Sequence, residues 1–263
     1  MIYGIFHRGS GLGNQLHRYI ATRVLALEKG YDFSMINQAG FKGKSFMNLD
    51  MGKPNEIAFK TKEPAGKVVQ SNFWNKLPLW EEKKVIERGV DIRSYDPEFN
   101  FVDDNTIIDG EFQDERYFIH RAKDVNEWLK VEPLDLPEDL CIIGFRGGEF
   151  ASVRDLFLPP KYWEEAKQIM LEINPNMKFK VSTDDPKTAK EFFPNFEIMT
   201  DMGEGWRSVR YAKYLIIPNS SFYILPSLLN EYAKKIIAPR YWARRNTGVW
   251  ALPQNYYSKF NYI

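Results

Sequence analysis

Cysteine is almost missing: Cys141 is the single one in 263 residues. One thiol excludes an intrachain disulfide framework and a thiolate metal cage built from this chain alone, and it fits a reducing compartment. Long apolar runs are missing too, since none approaches the ~20 residues of a membrane-spanning helix. The opening MIYGIFHRGSG meets His7 and Arg8 too soon for a signal peptide. The expected address is therefore the cytoplasm, with no membrane span. Net charge is nearly absent, with 36 Lys+Arg against 35 Asp+Glu, so no global field directs the chain to nucleic acid or a membrane surface. Histidine is scarce, and His7, His17 and His120 are scattered; each reads as structural rather than catalytic. There is no His-Glu-x-x-His, no Asp-x-Asp pair placed after a strand as a metal anchor and no Walker phosphate loop, so no metal and no cofactor are expected. Internal repeats and low-complexity tails are also lacking.

What is present is the balance of a globular protein, 44% apolar and 27% charged, long enough for one large domain or two of roughly 120 residues. Aromatics reach 15%, which core packing accounts for first and stacking on sugar rings second. The apolar run 1–6 reads as a buried strand. Leu16, Tyr19, Ile20, Val24 and Leu27 then fall at helical spacing, and Gly30 stops the helix. A second strand is expected at 33–36, long loops over 37–67, a strand at 106–110 and a helix over 114–130. VEPLDLPED at 131–139, with its acids and prolines, reads as a linker between domains at 1–130 and 140–263. Beyond it, strands (LCIIGF, MKFKVS, FEIM, YLIIPN, KKIIAP) alternate with helices, one of them interrupted (SFYILPSLLNEYA). That alternation predicts an α/β protein of parallel sheets covered by helices.

Ligands of such sheets bind beyond the carboxyl ends of the strands, which singles out four loops. Gly9-Ser10-Gly11-Leu12-Gly13 follows a strand and opens a helix. Its spacing fails the dinucleotide fingerprint, whose last glycine would be Asn14, but fits the looser G-x-G-x-G pattern of methyltransferases. Asn14 and Gln15 are capping groups or sugar contacts. GFRGGEF displays Arg146 among glycines, suited to paired bonds with phosphate oxygens. Glu149 beside it is a candidate general base or a salt-bridge partner. VSTDDP offers Asp184 and Asp185 to a nucleobase edge or ribose, or to a helix N-terminus as a cap. In IPNSSFYI, Asn219, Ser220 and Ser221 sit at a helix start, as phosphate contacts or caps. One arginine, an acid pair and a hydroxyl cluster on one sheet edge outline a nucleotide-diphosphate site.

These motifs resemble those of glycosyltransferase family 11, the α-1,2-fucosyltransferase-like enzymes. GSGLGNQLHRYIATRVLA resembles that family's opening Gly-Leu-Gly-Asn-Gln motif, and DGEFQDERYF its middle segment. GFRGGEF stands where the family has His-x-Arg-Arg-Gly-Asp-Tyr, with LPPKYWEEA following, and VSTDD, IPNSSF and KKIIAPRYW resemble its later motifs. The resemblance implies a GT-B-like fold, two Rossmann-like parallel-sheet domains facing across a cleft. It implies an inverting, metal-independent transfer of a sugar, L-fucose by default, from a GDP-sugar donor to a hydroxyl of a glycan acceptor. Carried over, Arg146 holds the diphosphate, assisted by Ser220 and Ser221 with Asn219, and Asp184 or Asp185 lies near guanine. Gly11, Gly13, Asn14 and Gln15 line the acceptor side.

The departures lie in the arginine motif, where the family's His, second Arg and Asp are Gly144, Gly147 and Glu149. Arg154, Arg240, Arg244 and Arg245 are available to replace the lost cation. Glu149 is the first candidate for the base, with Glu111, Asp114 and Asp155 behind it. Two rivals stand: a GDP-sugar or carbohydrate-binding protein without turnover, and an S-adenosylmethionine-dependent methyltransferase resting on the glycine loop alone.

Overall fold

The computed structural model describes residues 1–55, 57, 79–81, 95–153, 156–240, 243–244, 250–251 and 257–263. Met1–Lys130 and Val131–Ile263 are separate compact units, so residues 131–139 belong to the second.

In the first unit the opening apolar run is β1 (Ile2–Ile5) and the helical spacing becomes α1 (Leu12–Lys29). Leu16, Tyr19, Ile20 and Val24 are fully buried, as residues three and four apart share a helix face. Leu27, expected on that face, is instead 48% exposed, one turn from the Gly30 cap. β2 (Phe33–Ile36) follows as expected, then β3 (Leu79–Glu81) and β4 (Thr106–Asp109). The sheet is parallel, in the order β2-β1-β4-β3, with Ile5, Ile36 and Ile107 packed together. β1 thus lies between its successor β2 and the later β4. The direction of winding reverses between β1 and β4, and their carboxyl ends flank a switch point.

The loop expected over 37–67 is irregular where it is described, with a 3-10 turn at Gln38–Gly40; residue 56 and the stretch from 58 lie outside the described residues. One expectation is corrected here. The helix expected over 114–130 is broken into 3-10 turns at Glu115–Tyr117 and Ile119–Arg121, followed by α2 (Ala122–Trp128). Phe118, at φ −149 and ψ −11, breaks the helical register. Its ring is buried edge-on to His17.

In the second unit the expected alternation is realised as β5 (Leu140–Phe145), α3 (Gly148–Ala151), α4 (Pro160–Ile173), β6 (Lys178–Thr183), α5 (Pro186–Phe192) and β7 (Glu197–Met199). It continues with α6 (Met202–Tyr211), β8 (Tyr214–Ile216), α7 (Ser221–Leu229) and β9 (Lys235–Ala238). β10 (Ala243–Arg244) and β11 (Trp250–Ala251) form an antiparallel ribbon, and β12 (Asn261–Tyr262) joins the main sheet. The helix expected to be interrupted runs continuously through Pro226 and ends within a turn of it.

The main sheet has six parallel strands in the order β12-β9-β8-β5-β6-β7. Alternate residues of β5 point to opposite faces. Cys141, Ile143 and Phe145 join Tyr162, Trp163, Ala166 and Met170 of α4 and Ala189 of α5 in one buried core. On the other face Gly144 meets Tyr223 of α7, and Ser182 meets Gly205 of α6. Helices therefore cover both faces. Winding proceeds from β5 to β7, then returns to β8 beside β5, so a second switch point lies between the carboxyl ends of β5 and β8.

Candidate functional site

Three of the four loops singled out from the sequence leave adjacent strands, β8, β5 and β6, at the second switch point. Arg146 follows β5 directly. Its guanidinium is held by two carboxylates: Nη1 donates to Asp184 Oδ2, and Nη2 donates to Glu149 Oε1 at 3.0 Å. The cation also lies 5.2 Å from the centre of the Phe150 ring. Its side chain keeps 28% of its exposure, so it is reachable from solvent. Glu149 is 74% exposed, and a pairing made that far out in water holds the arginine weakly.

Asp184 and Asp185 take different parts. Asp184 Oδ1 accepts the Gly147 N–H at 3.2 Å while Oδ2 holds Arg146. Asp185 caps α5, accepting the Thr188 N–H at 3.1 Å and the Thr188 hydroxyl at 2.6 Å, and it also takes the Gly148 N–H at 3.2 Å. Those Thr188 bonds, with the Gly148 amide, hold its carboxyl below the usual range. Of the two roles expected for Asp185, the helix cap is the one its bonds make, and the same carboxylate ties two loops together.

The glycines of this loop answer to packing. A Cβ on Gly147 would lie 2.5 Å from Asp185 Cβ, and one on Gly148, whose φ is +43, 2.5 Å from Asp184 Oδ2. They let the β5 loop nest against the acid pair. Gly144 stands where the resembled motif has histidine, and any Cβ there would lie 2.4 Å from the Tyr223 ring. The tyrosine fills that space and donates its hydroxyl to Ser182 O at 2.7 Å.

After β8, Asn219 is buried and donates to Leu156 O at 2.9 Å, which pins the loop. Ser220 is the N-cap residue of α7, makes no side-chain cap bond and is 7% exposed. Ser221 opens the helix. Arg154, Asp155 and Arg245 lie outside the described residues, and Arg240 is an exposed residue after β9.

The fourth loop belongs to the first unit. Gly9 has φ +88, a conformation that side chains rarely adopt, and Gly11 is the N-cap of α1 without a side-chain cap bond. Among the described residues, a Cβ on either meets nothing within 4 Å. Gly13 lies in the first turn of α1, and its carbonyl lies 2.8 Å from His17 Nδ1. Gln15, expected to face the acceptor, is corrected: it is 1% exposed, donates to Gly40 O and accepts from Lys42 N, each at 2.9 Å. Its amide staples the next loop to α1.

Asn14 does reach toward β4, where Gln113 Nε2 donates to its Oδ1 at 3.2 Å and to Glu111 Oε2 at 3.1 Å. Phe112 between them has φ +49, a strained setting for a large side chain, fixed by its buried ring among Phe99 and Tyr117. Asp114, a candidate base, is corrected to a structural carboxylate. It is 2% exposed and accepts from Tyr95 N and from the Arg116 backbone and guanidinium.

One juxtaposition was missed in the sequence. His7 Nε2 lies 2.7 Å from Asp109 Oδ1, which also accepts from Arg18 Nη1 at 2.5 Å. Burial alone would push the Asp109 carboxyl up; the bonds and charges of His7 and Arg18 outweigh it and hold the group below the usual range. By contrast, His17 is fully buried and His120 is tied to Glu28 at 2.6 Å.

No family model matches this chain, and no curated protein matches it. Among solved structures, it is similar to NodZ α-1,6-fucosyltransferase soaked with GDP-fucose, at 12% identity over 89% of this chain and 93% of that one, with a TM-score of 0.48. Fucosyltransferase NodZ from Bradyrhizobium gives the same figures: 12%, 89%, 93% and 0.48. E. coli heptosyltransferase WaaC with ADP is 14% identical over 95% of this chain and 91% of that one, with a TM-score of 0.45. Identities are low and the superpositions loose, so the chemistry of this chain rests on its own residues. Among the described residues no helix is long and apolar enough to cross a membrane, and no group of three or more His, Cys, Asp and Glu is placed to hold a metal ion.

Proposed function

We propose that this chain is a glycosyltransferase of GT-B-like organisation that moves a sugar from a GDP-sugar to a hydroxyl of a glycan acceptor. The observation that carries the reading is the switch point between β5 and β8. A partly exposed arginine, an uncapped helix start at Ser220 and an aspartate converge there, on three adjacent parallel strands. Crevices of that kind receive nucleotides in open α/β sheets. Arg146 and the start of α7 bind the diphosphate, which takes the place of the exposed Glu149 on the guanidinium. Asp184 keeps the arginine aimed. GDP-fucose is the first donor to try, from the sequence resemblance, with inversion at the anomeric carbon and no metal. Fixed donors that meet charge as it grows on a leaving group are a strong source of catalysis.

The test has two arms. GDP, UDP, NAD and S-adenosylmethionine are compared by thermal shift; a ligand at a hundred times its Kd adds about 2.7 kcal/mol of stability. GDP is the expected winner. Arg146→Ala, in protein that still folds, is expected to lower sugar transfer by about a hundredfold or more, and Arg146→Lys to restore only part of it. Unchanged turnover in Arg146→Ala refutes the assignment.

A second reading is favoured by one observation. Two carboxylates already match the charge of Arg146, which leaves it less charge to offer a departing diphosphate, and a GDP-sugar-binding protein without turnover needs none. GDP binding with no transfer to any acceptor would select it.

A further inference from the structure

We propose that His7 is the general base of this chain, taking the proton from the attacking acceptor hydroxyl, with Asp109 and Arg18 as positioning residues. The proposal rests on the glycosyltransferase reading above and deepens it. His7 leaves β1 and Asp109 ends β4, so the pair spans the switch point of the first sheet, where ligands of such sheets bind.

Asp109, held ionised by its two partners, can only accept a hydrogen bond, so the neutral His7 ring carries its proton on Nε2. That leaves the lone pair on Nδ1, for which no partner stands among the described residues. A base whose other nitrogen is fixed by a carboxylate is held in the right tautomer and gains stabilisation as it takes up charge.

Arg18 strengthens the case. Its side chain is 3% exposed and its buried Nε has no partner among the described residues. Sinking a guanidinium this far is costly and adds little to stability. What it does here is fix the carboxylate that fixes His7. The chain after His7 passes through Gly9 and Gly11, where an added Cβ would meet nothing within 4 Å among the described residues, and the chain after Asp109 reaches Gln113, bonded to Asn14 of α1.

In the step proposed, the acceptor O–H bond breaks and its proton passes to His7 Nδ1. The oxygen forms its bond to the anomeric carbon of the donor. The bond from that carbon to the diphosphate oxygen breaks, and its electron pair leaves with GDP. The imidazolium then returns its proton to water.

The experiment uses the full chain. With 15N-labelled histidine, NMR at neutral pH is expected to show His7 as the Nε2–H tautomer; Nδ1–H as the resting form overturns the proposal. His7→Gln is expected to lower kcat for transfer by about a hundredfold or more, with donor KM and GDP binding unmoved, and imidazole is expected to restore part of the activity of His7→Ala. Asp109→Asn is expected to lower kcat together with the shift of the His7 tautomer signal while donor KM and GDP binding stay unmoved, whereas a merely structural aspartate would shift the signal and leave kcat unchanged. His120→Gln serves as the control and should leave turnover unchanged. Transfer by the wild type that persists in His7→Gln overturns this proposal alone. A wild type that transfers no sugar from any GDP-sugar fails the parent reading and this one with it.

Discussion

At pH 7 the His17 imidazole is neutral, because burial lowers its pKa to about 4 against the partial support of the Gly13 carbonyl. In the unfolded chain the ring returns to its ordinary 6.5. Between those values the unfolded state binds more protons than the folded state, so stability falls as pH drops from 6.5 through 4. The full effect is on the order of 3 kcal/mol. Urea unfolding of wild type and His17→Leu at pH 7 and pH 4.5 checks it: the wild type should lose the larger share of its stability. The same scale explains what sequence reading made of the histidines. His17 is buried inside its unit and His120 is paired with Glu28. His7 looked no different because its partner Asp109 stands 102 residues away. Spacing along the chain carries no trace of such a pair; it depends on β4 lying beside β1.

The β5 and β6 loops form one element of the site, each shaped to the other. Gly148 has φ +43 and abuts Asp184, so Gly148→Ala strains the backbone and pushes the carboxylate that aims Arg146. A cost of about 1–3 kcal/mol in urea unfolding is expected, together with weaker GDP binding by titration. Asp114→Ala should act differently. It strips a buried carboxylate from the N–H groups of Tyr95 and Arg116, costing about 2 kcal/mol, while GDP binding stays unchanged. Strands and most helices were legible because short apolar runs end in Gly, Pro and acid punctuation, and β2 and β5 fall where the runs do. The stretch 114–130 misled because its helical residues are interrupted at Phe118, whose ring is drawn against His17 of another helix. Arg146 was legible as a displayed cation, but its clasp by Asp184, 38 residues on, required the sheet order.

For the molecule as a whole, each compact unit has its own sheet and its own switch point. The core of the second gathers Ile143, Phe145, Trp163, Met170, Val181 and Ile237 from strands and helices of that unit alone. Every contact named for Arg146 also comes from it: Asp184, Glu149, Phe150 and the loop glycines. A fragment of residues 131–263 is therefore expected to fold cooperatively and to bind GDP within about tenfold of the full chain, while transferring no sugar because His7 and Asp109 are gone. Calorimetric titration and circular dichroism on that fragment measure both properties. Cooperative unfolding with GDP binding lost would place part of the nucleotide site in residues 1–130, and would move the search for phosphate contacts to the start of α1, where Gly11 leaves the helix uncapped by any side chain.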